Sequence, residues 1–273
     1  MIISYHAQGR LGNNIFQYIA VKVIQKYVTS LDIECSYEFM SKDEANKKGF
    51  RWFNEFQFKQ LYSIISSLGD DKKMYLKPFL EGNWFFDGFY QFDYHIRDNL
   101  PYIRGLFTED NEDIINDNYR VCDIVKGINK YNINFNDNDI VTHVRLDDFL
   151  NGGIVMDHKS VSKIIKGIEN KGDIYVVSDK INSEFEVKYM RDFKSEINYK
   201  LISNTDMFKD LAYLWKSPNL ICNNSTFCWI AAIFGDHKRV WIPKNLELNP
   251  PQHFEKIRDD DIVYEWRVIS EAK

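Results

Sequence analysis

The chain has 273 residues, with 35 Lys and Arg against 40 Asp and Glu, so its formal net charge is −5 at pH 7 with histidine neutral. An acidic balance argues against a protein that coats nucleic acid. The length is sufficient for one large domain or two compact ones. Hydrophobic residues make up 44% of the chain and aromatic residues 15%, which excludes a disordered protein and predicts a folded globular one.

Signals for export and for membrane insertion are not found. The first ten residues, MIISYHAQGR, have neither the basic start nor the longer apolar run of a secretory signal. Since no run of about 18 apolar residues occurs, no transmembrane segment is expected. The four cysteines form neither a CxxC motif nor a cluster with histidine, which is typical of reduced thiols. We therefore expect a cytoplasmic protein.

The start of the chain has the element order of a parallel α/β domain. Residues 2–5 predict a strand, residues 8–13 a glycine turn and residues 14–28 a helix with apolar side chains at three- and four-residue spacing. A second strand is predicted in SLDIECSY, and this order implies a right-handed crossover. The middle third, about residues 36–110, is aromatic and irregular, and we interpret it as a segment that faces substrate.

A second α/β series follows a polar stretch at residues 111–139 that predicts one short helix and a loop. The predicted strands lie at 139–144, 173–178, 199–202, 219–222 and 239–242, and they alternate with predicted helices at 158–169, 181–192, 206–215 and 226–234. We place the domain boundary near residue 135. The sequence thus predicts an α/β fold of two doubly wound domains, 1–135 and 136–273.

Three motifs lie at the carboxyl ends of predicted strands, where open parallel sheets bind ligands. The first is the turn from Gly9 to Asn14. Its glycines permit a tight backbone turn, and amides at the start of the following helix can face an anion. A simple connection between strand and helix explains the same residues equally well, and the motif is neither GxGxxG nor a P-loop.

The second motif runs from His143 to Asp148. Alternation along a strand puts His143 and Arg145 on one face, and an arginine is suited to bidentate recognition of phosphate. The alternative is an ion pair between Arg145 and Asp148 that closes the loop. The third motif is Cys222 to Phe227, whose Ser225 and Thr226 offer donors to phosphate oxygens or simply cap the next helix.

Five blocks in a fixed order resemble the α-1,2-fucosyltransferases, glycosyltransferase family 11, and more distantly the α-1,6- and protein O-fucosyltransferases. The blocks are GRLGNNIFQYIA, DGFYQFDYHI, THVRLDDF, YVVSDK and DLAYLWKSPNLICNNSTFCWIAAIF. The resemblance implies a GT-B-like fold of two facing Rossmann-like domains, with the second holding the nucleotide sugar. It further implies GDP-fucose as donor, an oligosaccharide or glycan hydroxyl as acceptor, inversion with an α-1,2 linkage, and neither a cofactor nor an obligatory metal.

The resemblance also implies roles for individual residues. Arg145 resembles the arginine that grips the donor β-phosphate, His143 the histidine beside the nucleotide and Asp148 the acidic end of that motif. Asn13 resembles part of a loop that faces the phosphates across the cleft, which completes the predicted catalytic set. The predicted donor-binding residues are Gly9, Arg10, Gly12, Asn14, Asp179, Asp210, Asn224, Ser225, Thr226 and Phe227.

Acceptor binding is predicted for Asp87, Tyr90 and Gln91, in the aromatic stretch WFFDGFYQFDYHI at residues 84–96. Flat rings suit the apolar faces of sugars, although most aromatic residues in so aromatic a chain pack in the core. Among the polar members of this stretch, Asp87 and Gln91 are the candidates to bind hydroxyls.

Four positions depart from the family pattern. Its second arginine is Leu146 here, its glycine is Asp147, its glutamine is Asn14 and its second tryptophan is Ile230. These departures leave open a different linkage, another nucleotide sugar, or a non-catalytic relative that binds a nucleotide or a glycan. The sequence does not single out a general base, for which Asp148 and His143 are both candidates.

Overall fold

The computed structural model describes residues 1–67, 76, 79, 81–203, 206–244, 256–267 and 269. The chain forms two compact units, Met1–Asp123 and Ile124–Lys273. Each unit contains a parallel sheet and helices, as the α/β prediction requires. The division falls within a helix rather than in the Asn-rich loop, so the predicted boundary near residue 135 lies inside the second unit.

The first unit has a four-stranded parallel sheet in the order β2-β1-β4-β3. Its strands are β1 (Ile2–Tyr5), β2 (Ser36–Phe39), β3 (Arg51–Asn54) and β4 (Trp84–Asp87). The helices are α1 (Leu11–Thr29), α2 (Lys42–Lys47), α3 (Glu55–Ser67), α4 (Asp93–Arg97) and α5 (Leu100–Leu106). A short antiparallel pair follows, β5 (Ile114–Asn116) and β6 (Tyr119–Arg120).

Three predictions for this unit differ from the structure. The predicted second strand, SLDIECSY at residues 30–37, overlaps β2 only at Ser36 and Tyr37, because the chain first turns at residues 30–32, where Asp32 has φ +59°. Helix α1 begins at Leu11, three residues before the predicted start. The start was missed because the N-cap residue, Arg10, makes no side-chain capping hydrogen bond and is not a residue type that marks a helix start. The stretch at 36–110 is not irregular, since it contains β3 and β4. Phe85 and Phe86 are consecutive in β4 and both are buried, so this strand lacks the alternation that identifies half-buried strands.

The second unit has a six-stranded sheet in the order β12-β11-β10-β7-β8-β9, and all neighbours are parallel. Its strands are β7 (Ile140–Val144), β8 (Ile174–Ser178), β9 (Lys200–Ile202), β10 (Asn219–Ile221), β11 (Arg239–Lys244) and β12 (Ile262–Glu265). Helix α6 (Val121–Asn129) spans the division, and α7 (Asp147–Gly152), α8 (His158–Gly167), α9 (Glu184–Glu196), α10 (Met207–Trp215) and α11 (Thr226–Phe234) follow. The edge strand β12 was not predicted.

The strand order of each sheet fixes where a ligand can bind. In the second unit the strands β7, β8 and β9 proceed to one side and β10, β11 and β12 to the other, which is the 3-2-1-4-5-6 order of nucleotide-binding sheets. The direction reverses between β7 and β10, so a crevice opens outside the carboxyl ends of these two strands. In the first unit the chain moves outward from β1 to β2, crosses to β3 at the other edge and returns to β4, so the carboxyl ends of β1 and β4 lie side by side without that reversal.

The core of each unit is closely packed around its sheet. All five residues of β7 are buried, and α11 is buried along most of its length. The four cysteines are free thiols, and three of them are buried. Among the helices that the structure describes, none is long and apolar enough to cross a membrane.

Candidate functional site

Arg145 follows β7 directly and lies at the switch point of the second sheet. Its side chain is only 9% exposed. Nε donates to Asp148 Oδ1 at 2.9 Å, and Nη1 donates to Asp179 Oδ1 at 2.8 Å. The third nitrogen, Nη2, is buried and has no hydrogen-bond partner within the described chain. Two carboxylates therefore orient the guanidinium and leave one donor edge unused.

The two carboxylates come from different elements. Asp148 lies in the first turn of α7, and Asp179 follows the carboxyl end of β8. Their side chains are 47% and 30% exposed, so both border solvent while the arginine does not. The ion pair between Arg145 and Asp148 that the sequence offered as the alternative to phosphate binding is thus present, and Asp179 joins it.

His143 lies on β7, two residues before Arg145. Burial lowers the pKa of His143 to about 4, although its hydrogen bond with Asn223 acts in the opposite direction. The imidazole is therefore neutral at pH 7, and its Nδ1 has no hydrogen-bond partner in the part of the chain that is described. The ring lies 5.7 Å from the Phe227 ring, which comes from the start of α11. His143 is suited to hydrogen bonding and is a weak base.

The loop after β10 supplies the other wall of the crevice. Ser225 is the N-cap of α11 and accepts a hydrogen bond from Phe227 N at 3.3 Å, so its hydroxyl does cap the helix. Asn223 Oδ1 accepts from Ser225 N at 2.9 Å and fixes the turn. Asn224 Nδ2 donates to Ile154 O at 2.9 Å. Sequence reasoning did not select Asn223, although it lies in the same motif.

Several buried polar atoms at the ends of β7, β8 and β10 have no partner in the described part of the structure. They are His143 Nδ1, Arg145 Nη2, Ser178 Oγ and Asn224 Oδ1. Buried polar groups in native proteins are nearly always hydrogen-bonded, because an unpaired one loses the bonds that water gave it. A set that combines donors and acceptors at a switch point is the arrangement that a polar ligand completes.

The remaining predicted residues of this unit lie at different positions. Thr226 and Phe227 form the first turn of α11 and are partly exposed, beside the residues above. Asp210 lies in the first turn of α10, the helix that follows β9. The structure therefore brings together His143, Arg145, Asp148, Asp179 and the start of α11, and it places Asp210 on a separate element.

The glycine turn of the first unit has a conformation that requires glycine at one position. Gly9 has φ +76°, and a Cβ there would lie 2.4 Å from Asn13 Nδ2. Arg10 is exposed and is the N-cap of α1, whereas Gly12 is buried within that helix. Asn14 is buried, donating to Gln8 O and accepting from Asn116 Nδ2, each at 2.9 Å. Its amide is thus used within the protein.

Two predicted motifs that are distant in sequence meet at the carboxyl edge of β1 and β4 in the first sheet. Gln91 Nε2 donates to Asn13 Oδ1 at 2.9 Å. Gln8 Nε2 donates to Asp87 Oδ1 at 2.6 Å, and Lys42 Nζ lies 2.8 Å from the same oxygen. The structure therefore joins the loop after β1 to the loop after β4.

Asp87 is held in its charged form. Burial alone raises its pKa, but hydrogen bonds from Lys42 and Gln8, together with the charge of Lys42, bring the pKa below its ordinary value. Gln8 and Lys42 were not selected from the sequence. Gln8 directly precedes Gly9, so the argument from the glycine turn could have selected it, whereas nothing in the sequence marks Lys42.

Tyr90, predicted to contact the acceptor, is fully buried. Its hydroxyl donates to Phe53 O, its amide donates to Glu55 Oε1 at 3.0 Å, and its φ is +53°. The side chain therefore belongs to the aromatic core and contributes no surface to a binding site. Phe89 is 39% exposed and is the aromatic residue of this loop that faces solvent.

Within the described ranges, no three His, Cys, Asp or Glu side chains come together as a potential metal site. No protein-family model matches the chain, and no curated protein matches it. The resemblance to the α-1,2-fucosyltransferases thus rests on the five sequence blocks, which include His143, Arg145, Ser178 and Asn224 at the β7–β10 switch point.

Proposed function

We propose that this protein is an inverting glycosyltransferase that transfers fucose from GDP-fucose to a hydroxyl of a glycan acceptor. The observation that carries the proposal is the set of unpartnered buried polar atoms at the β7–β10 switch point, in a sheet with nucleotide-binding strand order. The second unit binds the nucleotide in this proposal. The residues there are those of the sequence blocks that resemble fucosyltransferases.

The chemistry requires stabilisation of a departing nucleotide. As the acceptor oxygen attacks the sugar carbon, the bond from that carbon to the phosphate oxygen breaks and GDP leaves with the electron pair. Negative charge then grows on the phosphate, and donors that are already in place stabilise it. Arg145 Nη2 and the Ser178 hydroxyl are donors at this crevice that the described chain leaves unused. The acceptor hydroxyl gives up its proton to water as it attacks, so the products are the fucosylated acceptor, GDP and one released proton.

The carboxylates around Arg145 have two effects in this scheme. They orient the guanidinium, and they offset its positive charge, which weakens its attraction for a diphosphate. Asp179 and Asp148 are also acceptors for sugar or ribose hydroxyls, because each borders solvent. The crevice therefore fits a ligand that carries both phosphate and hydroxyl groups, which describes a nucleotide sugar.

In this proposal the first unit binds the acceptor. Its candidate residues are Asp87 and Gln91, supported by Gln8 and Asn13. Carboxylate and amide groups that already share hydrogen bonds are held in one orientation, and they can add bonds to sugar hydroxyls through their remaining lone pairs and protons. Phe89 offers an exposed ring beside them.

A non-catalytic nucleotide-binding protein is the second candidate, and one observation favours it. Arg145 is already engaged by two carboxylates, and the position after it is Leu146 rather than a second arginine. Such a site can retain a nucleotide without enough positive charge to expel it from a sugar. A transferase that uses another nucleotide sugar is tested by the same experiment.

The test is a donor screen on the purified protein. GDP, UDP and CMP are compared for thermal stabilisation, and release of the nucleotide from GDP-fucose, GDP-mannose and UDP-sugars is measured with and without a panel of acceptor glycans. Release of GDP from GDP-fucose that increases with an acceptor supports the proposal. Stabilisation by GDP without turnover of any donor supports the binding protein instead. If no nucleotide stabilises the protein, both candidates are wrong.

A further inference from the structure

A second cavity lies in the second unit, away from the switch point. Its volume is about 1290 Å³, and it lies between α8 and the strands β11 and β12 at the edge of the sheet. Trp241, Tyr264 and Trp266 line it together with Ile164 and Ile168. It exceeds a typical small-molecule pocket in volume. No residue of the predicted fucosyltransferase site lines it.

The cavity is rich in positive charge although the chain carries a formal net charge of −5. Its cationic residues are Lys159, Lys163, Arg239, Lys244 and Arg267, and its acidic residues are Asp157, Glu169 and Glu265. All of these cations except Lys244 have side chains without an ion pair or a hydrogen bond in the described structure. Charges that are not used inside the protein remain available to an anion.

A buried donor in the same cavity provides an independent indication of a ligand. Trp266 is 2% exposed, and its indole Nε1 has no hydrogen-bond partner among the residues described. A buried indole N–H normally donates to an acceptor, because leaving it unpaired forfeits the bond that it made to water. The cavity thus combines cations with an unused neutral donor, which is a set of groups that an oxygen-rich anion satisfies.

We propose that this cavity binds a compact ligand that carries phosphate groups. The phosphate oxygens contact Lys159, Lys163 and the arginines, whose guanidinium groups match phosphate geometry. Trp266 donates its N–H to an oxygen of the ligand, whose apolar or ring portion lies on the tryptophan and tyrosine edges. Glu169 and Glu265 on the same walls repel an extended polyanion such as nucleic acid, which favours a compact ligand.

The first experiment titrates the full-length protein with pyrophosphate, followed by calorimetry and by tryptophan fluorescence. The titration is repeated with the Arg145→Gln variant, which disables the β7–β10 switch point. Pyrophosphate binding that persists in this variant therefore belongs to another site. We expect the double variant Lys159→Gln and Lys163→Gln to weaken this binding by about tenfold or more. Lys166→Gln is the matched control, since Lys166 lies on the same helix, pairs with Glu196 and does not line the cavity.

A second variant tests the indole donor, and a second probe tests the source of the phosphate. Trp266→Phe keeps an aromatic ring but removes the N–H, so we expect several-fold weaker binding with an unchanged circular dichroism spectrum. Vesicles of phosphatidylcholine with and without phosphatidylglycerol replace pyrophosphate in a parallel assay. Binding to the anionic vesicles alone, lost in the double lysine variant, identifies a lipid phosphate as the ligand.

The outcomes that overturn the proposal are equally specific. Pyrophosphate and vesicle binding that the lysine substitutions leave unchanged would exclude this cavity, as would the absence of binding to both probes. Loss of all pyrophosphate binding in Arg145→Gln, with none to vesicles, would assign the anion to the switch point alone. The proposed transferase activity is measured separately and can fail while this binding persists.

Discussion

The polar groups at the carboxyl edge of β1 and β4 bond to one another to a greater extent than those at the β7–β10 switch point. In the first unit, Asn13 is bonded to Gln91, and Asp87 is bonded to Gln8 and Lys42. In the second unit, His143 Nδ1 and Arg145 Nη2 are buried and find no partner among the described residues. Both sites lie at the carboxyl edge of a parallel sheet, yet the one at β7 and β10 leaves more buried groups unpaired in the described chain.

This difference distinguishes polar groups that already bond to one another from polar groups that a ligand can still complete. Groups that bond to one another stabilise the loops that carry them, whereas unpaired buried groups cost stability unless a ligand completes them. Other buried polar atoms of the first unit are also unpaired in the described chain, among them His6 Nδ1, directly after β1, and both ring nitrogens of His95. On this comparison, we expect substitutions in the glycine turn of the first unit to act mainly on stability, and substitutions at the β7–β10 switch point to act mainly on binding and turnover.

The largest expected effect is that of Arg145→Ala. Loss of a fixed donor to a leaving group costs about 100- to 1000-fold in turnover, or about 2.7–4 kcal/mol. We expect at least a hundredfold slower release of GDP from GDP-fucose, and a large loss for Arg145→Lys because an ammonium does not reproduce the planar fork. Arg191→Ala, on the exposed face of α9, is the control. Turnover close to wild type in folded Arg145→Ala would remove Arg145 from the mechanism.

Acid should destabilise the protein through its buried histidines. Burial lowers the pKa of His95 to about 3 and that of His143 to about 4. Below about pH 6.5 the unfolded chain binds protons that the folded protein does not, so stability is full above that pH and falls by about 1.4 kcal/mol per pH unit for each histidine.

His95→Leu tests this in the first unit, where both ring nitrogens of His95 lack partners among the described residues. Between pH 7.5 and 5.5, the free energy of unfolding measured with urea should decrease less in the variant than in the wild type. An equal loss in both proteins would show that His95 does not control acid stability.

Gly9→Ala tests whether the glycine turn after β1 contributes to the stability of the protein. The substitution forces a side chain into a left-handed conformation and against Asn13 Nδ2, so the bond between Asn13 and Gln91 must shift. We expect a loss of about 1–3 kcal/mol in the free energy of unfolding, measured by urea denaturation. Gly105→Ala in α5 is the matched control, since its Cβ meets nothing within 4 Å and the helix gains propensity. Equal stabilities for the two variants would contradict the conformational argument.

The smallest effect is expected for Ser225→Ala. Loss of the cap of α11 costs about 1 kcal/mol of stability. Ser183→Ala removes the capping box of α9 and should cost a similar amount. The two variants differ in GDP affinity, which we expect to weaken only for Ser225→Ala, as measured by calorimetry. The same GDP affinity in both variants would limit Ser225 to a structural role.

Sequence reasoning succeeded where the signal is local. The apolar spacing of α1 and five of the six strands of the second unit were recognised, because each depends on neighbours a few residues apart, whereas the edge strand β12 was missed. It failed at β3 and β4, whose aromatic residues are buried without alternation, and at the start of α1, which lacks a capping side chain. Lys42 was not predicted as a site residue, because the residue that it contacts, Asp87, lies 45 positions away in the sequence.

The sequence by itself determined the α/β character, the positions of the three loop motifs and the resemblance to fucosyltransferases, because hydrophobic period and turn chemistry are written into adjacent residues. Only the tertiary structure decided that β7 lies beside β10, that Asp179 shares Arg145 with Asp148, and that Tyr90 is buried. Strand order and hydrogen-bond satisfaction depend on residues far apart in the chain, and their proximity exists only once the sheets have formed.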